Sequence, residues 1–297
     1  MTQHLDWEMR VSRLVICIGA PKSATTFLFN ELARDHRIVT PITKELHFWT
    51  ANAKRMHPRL LKRSNSQYRR NVAKLPYNLI KKGPEALSTL RKWRDLCALR
   101  AAGPGSAEAY RRVLGPTTSQ QHVAFEATPD YDLLDQNSFM QMARFHPNTH
   151  LVYVVRDPVQ RMWSGVAWGA RHQMRKGEND DVRMHHLFLK QLSDENSLEF
   201  KHSNYPVILD RLQSCGITDN LHVIFMENML AGKENEKLSH AFGFEANLDP
   251  KRMSNRNLSK PRQIPKEIKQ EALVRMEDIY AEMKRLFPGR IPESWQL

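Results

Sequence analysis

The chain is short of cysteine. Cys17, Cys97 and Cys215 are spread over 297 residues, and no two share a metal-ligand or redox spacing. An odd, scattered set argues against a disulfide framework and against a zinc site. The histidines, including the pair His185-His186, also lack metal-ligand spacing, and no metal is expected. Long apolar runs are missing: none could span a bilayer, and no amino-terminal segment reads as a signal peptide or anchor. The expectation is a soluble, cytoplasmic protein. Internal repeats and low-complexity tracts are absent as well. Acidic residues are in deficit, 32 against 45 lysines and arginines, for a net charge of +13 and a pI near 9.8. Such a surface attracts polyanions: nucleic acid, anionic glycans, or a nucleotide with several phosphates.

What is present is a strand, a small-residue loop and a helix between Leu14 and Asp35. The β-branched run Leu14-Val15-Ile16-Cys17-Ile18 ends at Gly19 and is too short for a helix. The turn Gly19-Ala20-Pro21-Lys22-Ser23-Ala24-Thr25 follows. A helical pattern then places Phe27, Leu28 and Leu32 on one face. Unpaired amides of the loop and first helical turn, together with the helix dipole, favour an anion there. Lys22 adds charge; Ser23, Thr25 and Thr26 add hydroxyls. The loop is not a Walker A motif, because its lysine follows Pro21 and no Lys-Ser/Thr pair ends it. Ala24 stands where a second glycine would be expected. It can let the backbone approach an anion provided its φ stays negative.

Further strands are predicted at Ile38–Thr40, His122–Glu126, His150–Val155 and Leu221–Met226. Helices are predicted at Leu134–Phe145, Val159–Arg175, Asn204–Gln213 and, as one long element, Pro265–Phe287. Met1–Arg13 reads as a polar lead-in. Residues of about 51–115 read as a basic insertion of short helices packed on the core. Strands alternating with helices imply a single α/β domain over 1–297, with a central parallel sheet flanked by helices. Ligands of such sheets bind beyond the carboxyl ends of the strands. Lys22, Glu45, Glu126 and Arg156 lie at or after strand ends, and so near one crevice.

PKSATTFL resembles the PKSGTTxL loop of sulfotransferases, which cradles the 5′-phosphosulfate of PAPS (3′-phosphoadenosine 5′-phosphosulfate). RDPVQRMWS, from Arg156 to Ser164, resembles their 3′-phosphate motif, with Arg156 and Ser164 as the clamp. KELHFW and FEATPDY resemble segments of the glycosaminoglycan branch, the heparan sulfate 3-O and N-sulfating enzymes. Ser259–Pro265, SKPRQIP, resembles their cofactor-closing loop and carries Lys260 and Arg262. The resemblance implies a P-loop-type sheet and metal-free transfer of a sulfuryl group from PAPS to a hydroxyl or amine, releasing PAP. It spans Leu14 to Pro265 and leaves the basic insertion unmatched.

That chemistry asks for a cation at the leaving oxygen and a base on the acceptor. The resemblance implies Lys22 for the first and Glu45 for the second. A carboxylate beside Lys44 has a low pKa unless it is buried against Phe48 and Trp49. His47 is the alternative base. Lys44, His47, Asp130 and Tyr131 are expected on the acceptor side. The acceptor is read as a carbohydrate or other polar metabolite, which the basic surface allows to be anionic. A P-loop kinase remains the rival enzyme, although no clear metal-binding aspartate accompanies the loop. A nucleic-acid-binding protein remains the rival binder, although groove-reading motifs and stacking aromatics are missing.

Overall fold

Apolar, β-branched stretches become five strands: β1 (Val11–Gly19), β2 (Ile38–Val39), β3 (His122–Ala127), β4 (Thr149–Val155) and β5 (Leu221–Phe225). They form one sheet in the order β2-β3-β1-β4-β5, and every pairing is parallel. The architecture is seen in a computed structural model that describes residues 7–50, 53–102, 106–115, 121–173, 180–252 and 263–295. Leu14, Ile16 and Ile18 point into one apolar cluster, Val15 and Cys17 into a second on the opposite face. That alternation is the two-residue period of a strand buried on both sides. The chain is a single α/β domain.

Helix α1 (Thr25–Leu32) covers the second face with Phe27, Leu28 and Leu32. The insertion comprises α2 (Ala53–Ala73), α3 (Leu75–Lys82), α4 (Glu85–Ala102) and α5 (Ala107–Val113). It is not made of short helices only: α2 has 21 residues and α4 has 18. They run antiparallel, and the Arg100 guanidinium of α4 donates to Leu60 O (3.2 Å) and Ser64 Oγ of α2. Leu96 and Leu99 carry α4 into the first-face core.

After β3 come a 3₁₀ turn (Pro129–Leu133) and α6 (Gln136–Ala143). Helix α7 (Pro158–Gln173) follows β4, then α8 (Asp180–Leu192), α9 (Leu198–Ser203) and α10 (Tyr205–Ser214). β5 runs into α11 (Met226–Leu230) and α12 (Asn235–Phe242). Two sequence expectations change. The lead-in is not wholly polar, because Trp7 is buried beside Phe145 and His146 and β1 starts at Val11. The carboxyl-terminal helix is two helices, α13 (Lys266–Arg275) and α14 (Glu277–Leu286). Met276 leaves helical geometry between them (φ −106°, ψ 12°) while its side chain stays fully buried. Core packing overrode a continuous helical stripe there. Among the described residues no helix is long and apolar enough to cross a membrane.

Candidate functional site

The order of the strands reverses at β1: β3 lies on one side of it and β4 on the other. The crevice beyond their carboxyl ends therefore receives the loop after β1, Thr128 after β3 and Arg156 after β4. Gly19 is needed at the loop entrance, because a Cβ there would meet the Asp132 Cβ at 2.8 Å. The loop then turns through two left-handed residues, Lys22 (φ +69°) and Ala24 (φ +57°). The condition set for Ala24, a negative φ, is thus not met. Ala24 also caps α1, and its side chain offers no acceptor to the first-turn amides. Ser23 is fully buried, and its hydroxyl has no partner within the described residues. Uncapped amides beside a buried, unspent hydroxyl are what an anion site leaves when only protein is present.

Arg156 is carried to this loop by β4. Its Nη1 donates to Lys22 O at 3.2 Å, and burial lowers its pKa from the ordinary arginine value. The motif around it is fastened from behind. Tyr205 donates its hydroxyl to Arg156 O (2.7 Å) and accepts from Arg156 N (3.3 Å). Arg161, fully buried, donates Nε to Ser203 Oγ (2.9 Å) and Nη2 to Glu199 Oε2 (2.5 Å). Asp157 caps α7 by accepting from Gln160 N (2.8 Å). Arg161, Ser203 and Tyr205 are positioning residues to which sequence reasoning gave no role.

The segment Lys44–Trp49 forms the opposite wall. Leu46 N donates to Thr128 Oγ1 (3.1 Å), and Phe48 N donates to the Tyr131 hydroxyl (2.8 Å). Arg100 Nη2 reaches Glu45 O (3.4 Å). Tyr131 is fully buried, so it does not line the acceptor side as expected. It positions the segment instead. Lys44, also expected on the acceptor side, is engaged within the protein. Its Nζ donates to Thr25 Oγ1 (3.0 Å) on α1 and pairs with Glu45 Oε1 (3.2 Å). Glu45 Oε2 lies 3.7 Å from His47 Nε2, and His47 Nδ1 lies 3.9 Å from Asp130 Oδ2.

A continuous set of contacts thus joins Arg156, Lys22, Thr25, Lys44, Glu45, His47 and Asp130, the link from Lys22 to Thr25 running along the loop. Thr26 and Ser164 are half-buried on α1 and α7 and are not joined to it. Lys260 and Arg262 lie outside the described residues. The burial expected of Glu45 is not found: its side chain is 48% exposed. Its pKa is pulled down to about 2, first by the neighbouring His47 and then by Lys44. The buried carboxyl on this wall is Glu126, raised to about 7 by burial and held by the hydroxyls of Tyr110 and Thr128. Among the described residues no group of His, Cys, Asp or Glu side chains could hold a metal ion.

Comparisons with known proteins bear on the family and the fold. A family model described as the sulfotransferase family matches residues 15–198. No curated protein matches the sequence. Among solved structures, a sulfotransferase from Alicyclobacillus acidocaldarius superposes with a TM-score of 0.59 at 13% identity, covering 95% of this chain and 97% of its own. The sulfotransferase domain of the curacin biosynthetic pathway gives a TM-score of 0.45 at 15% identity, covering 89% and 96%. The sulfotransferase domain of the Synechococcus PCC 7002 olefin synthase gives 0.45 at 14%, covering 88% and 93%.

Proposed function

The chain belongs to the sulfotransferase family, and on that premise we propose that it moves a sulfuryl group from PAPS to a hydroxyl or amine of a polar acceptor. One observation carries the choice of donor. Arg156, the candidate 3′-phosphate ligand, rests at 3.2 Å on the backbone of Lys22, in the candidate 5′-phosphosulfate loop. A nucleotide phosphorylated at both ends needs two such clamps side by side. The uncapped amides of α1 and the unspent Ser23 hydroxyl fit its 5′ end.

In this reading Ser23, Thr25, Thr26 and the loop amides hold the 5′ end, and Arg156 with Ser164 holds the 3′-phosphate. Lys260 and Arg262 are assigned to the cofactor by motif alone. When bound, PAPS supplies an activated sulfuryl group and a phosphate leaving group. Lys22 places its ammonium where negative charge grows. Glu45 takes the acceptor proton, because its carboxylate is exposed while His47 is only 7% exposed. Access precedes pKa in choosing a base. His47 and Lys44 orient that carboxylate from either side.

The test is calorimetry with PAP in EDTA. Binding without metal is expected; no binding at millimolar ligand removes the proposal. Arg156→Ala is expected to weaken PAP about ten- to a hundredfold, and an analogue lacking the 3′-phosphate far less. The match covers the family at large, and the glycosaminoglycan branch rests on the resemblance of KELHFW, FEATPDY and SKPRQIP alone. We assign the acceptor only as a polar molecule, anionic if the basic surface guides it. Turnover should then fall as salt rises, because exposed charges are screened over roughly 8 Å at physiological ionic strength. A preference for small apolar phenols, indifferent to salt, contradicts that assignment.

A further inference from the structure

The charge of this protein is concentrated in one place. Residues 53–102 contain fourteen lysines and arginines and two acids, a net +12, which leaves the rest of the chain at +1. The two acids are Glu85 and Asp95, and Asp95 is paired with Arg94 at 3.1 Å. These residues build the α2–α3–α4 hairpin. Its base is Arg100 against Ser64, beside the Lys44–Trp49 wall. Its far end is α3, one α4 length away, roughly 25 Å.

That far end is also greasy. Eleven large hydrophobic residues are exposed among the described residues, and five of them fall between positions 72 and 87: Val72, Tyr77, Leu79, Ile80 and Leu87. Ile80 is 89% exposed, and α3 buries no residue at all. Single exposed apolar side chains are ordinary; five within sixteen residues of one hairpin are not. Arg69, Arg70, Lys74, Lys81 and Lys82 surround them in sequence, and Lys81 Nζ lies 5.9 Å over the Tyr77 ring.

We propose that this tip docks on the surface of an anionic phospholipid bilayer, with Ile80, Leu79 and Tyr77 entering the interface and the surrounding cations meeting lipid phosphates. Apolar insertion plus basic residues is the two-signal combination that interfacial binding requires. A second copy of the chain fits poorly, because it would bring another +12 against the first. Nucleic acid fits the cations and leaves an isoleucine at 89% exposure without a purpose. The proposal uses nothing from the cofactor site, so it stands or falls separately from PAP binding.

The experiment is flotation of the full chain with phosphatidylcholine vesicles, with and without phosphatidylglycerol at about one lipid in three. Binding is expected only with phosphatidylglycerol, weakening with salt. Ile80→Asp should lower partitioning at least ~tenfold, as expected for losing one inserted aliphatic side chain. Its far-UV circular dichroism and melting should be unchanged, since the residue touches no core. Lys81→Gln with Lys82→Gln should weaken binding and flatten its salt dependence. Absence from the anionic vesicles overturns the proposal. So does equal binding by wild type and Ile80→Asp, which would be charge adsorption alone. Duplex DNA that displaces the vesicles and binds Ile80→Asp equally well reassigns the face to nucleic acid. Sedimentation showing self-association that Ile80→Asp abolishes reassigns it to a second copy.

Discussion

Ala24 sits in the left-handed region, where an L-residue with a Cβ is strained by about 1–2 kcal/mol and glycine is not. Ala24→Gly should therefore stabilise the fold, by roughly 0.5–1 kcal/mol after the extra freedom glycine gives the unfolded chain, or about 1–3 °C in melting temperature. A lower melting temperature would show that the surroundings have relieved the strain. Glu45 makes a second claim. With its pKa pulled down to about 2 by His47 and Lys44, Glu45 is ionised throughout the working range. If it accepts the proton, Glu45→Gln should cut kcat by about 10²–10⁴ and leave PAP affinity near wild type. The wild-type pH profile should then show no acid limb from this carboxylate above about pH 4. His47→Ala should cost less and act through orientation. An essential His47 beside a nearly active Glu45→Gln would move the base to the imidazole.

Among the elements, the Lys44–Trp49 segment has no regular structure, and Thr128, Tyr131 and Arg100 hold it from other parts of the chain. Tyr131→Phe removes the acceptor for Phe48 N and leaves a buried amide unpaired, a cost of about 1–3 kcal/mol. Turnover should fall while PAP affinity holds, because the loop after β1 does not depend on Tyr131. Equal loss of both would show that the two walls form one unit. At the opposite ends of the strands, His150 of β4 and His222 of β5 stack, with Nδ1 to Nε2 at 2.8 Å. Burial lowers His150 to about 3 and His222 to about 4, and Arg13, His240 and Lys237 add repulsion. Between pH 6.5 and these values the unfolded chain binds protons that the folded chain refuses, so this pair stabilises above pH 6.5 and loses that contribution as pH falls. His222→Gln should cost stability at pH 8 and progressively less toward pH 5, narrowing by about 1 kcal/mol per pH unit in urea titrations. A gap that stays constant would mean that His222 packs without titrating.

At the scale of the molecule, the insertion is proposed as part of the domain. Leu96 and Leu99 of α4 lie in the first-face core, and Arg100 braces the Glu45 segment. Shortening the hairpin within 75–82 should leave melting within a few degrees, since α3 buries nothing. Deleting 53–102 should unfold the protein, and a stable deletion would make the hairpin an appendage. Much of this molecule is set by local pattern. Buried parallel strands are continuous β-branched runs, so β1, β4 and β5 are readable from the sequence. So is the loop after β1, because glycine, lysine and hydroxyls between a strand and a helix have few other uses. Sequence also names Arg156 and Glu45, since each belongs to a short motif. It cannot set their surroundings. Whether Glu45 is buried, whether Lys44 turns to Thr25, and whether Tyr131 faces the acceptor or the backbone of Phe48 depend on residues 19 to 83 positions away. The break at Met276 is decided the same way, by what the core needs at that point. Local composition determined which elements and which charged groups this protein has. Only long-range packing decided which of those groups meet, because a side chain's partner and its pKa depend on neighbours that the fold, and not the chain, brings close.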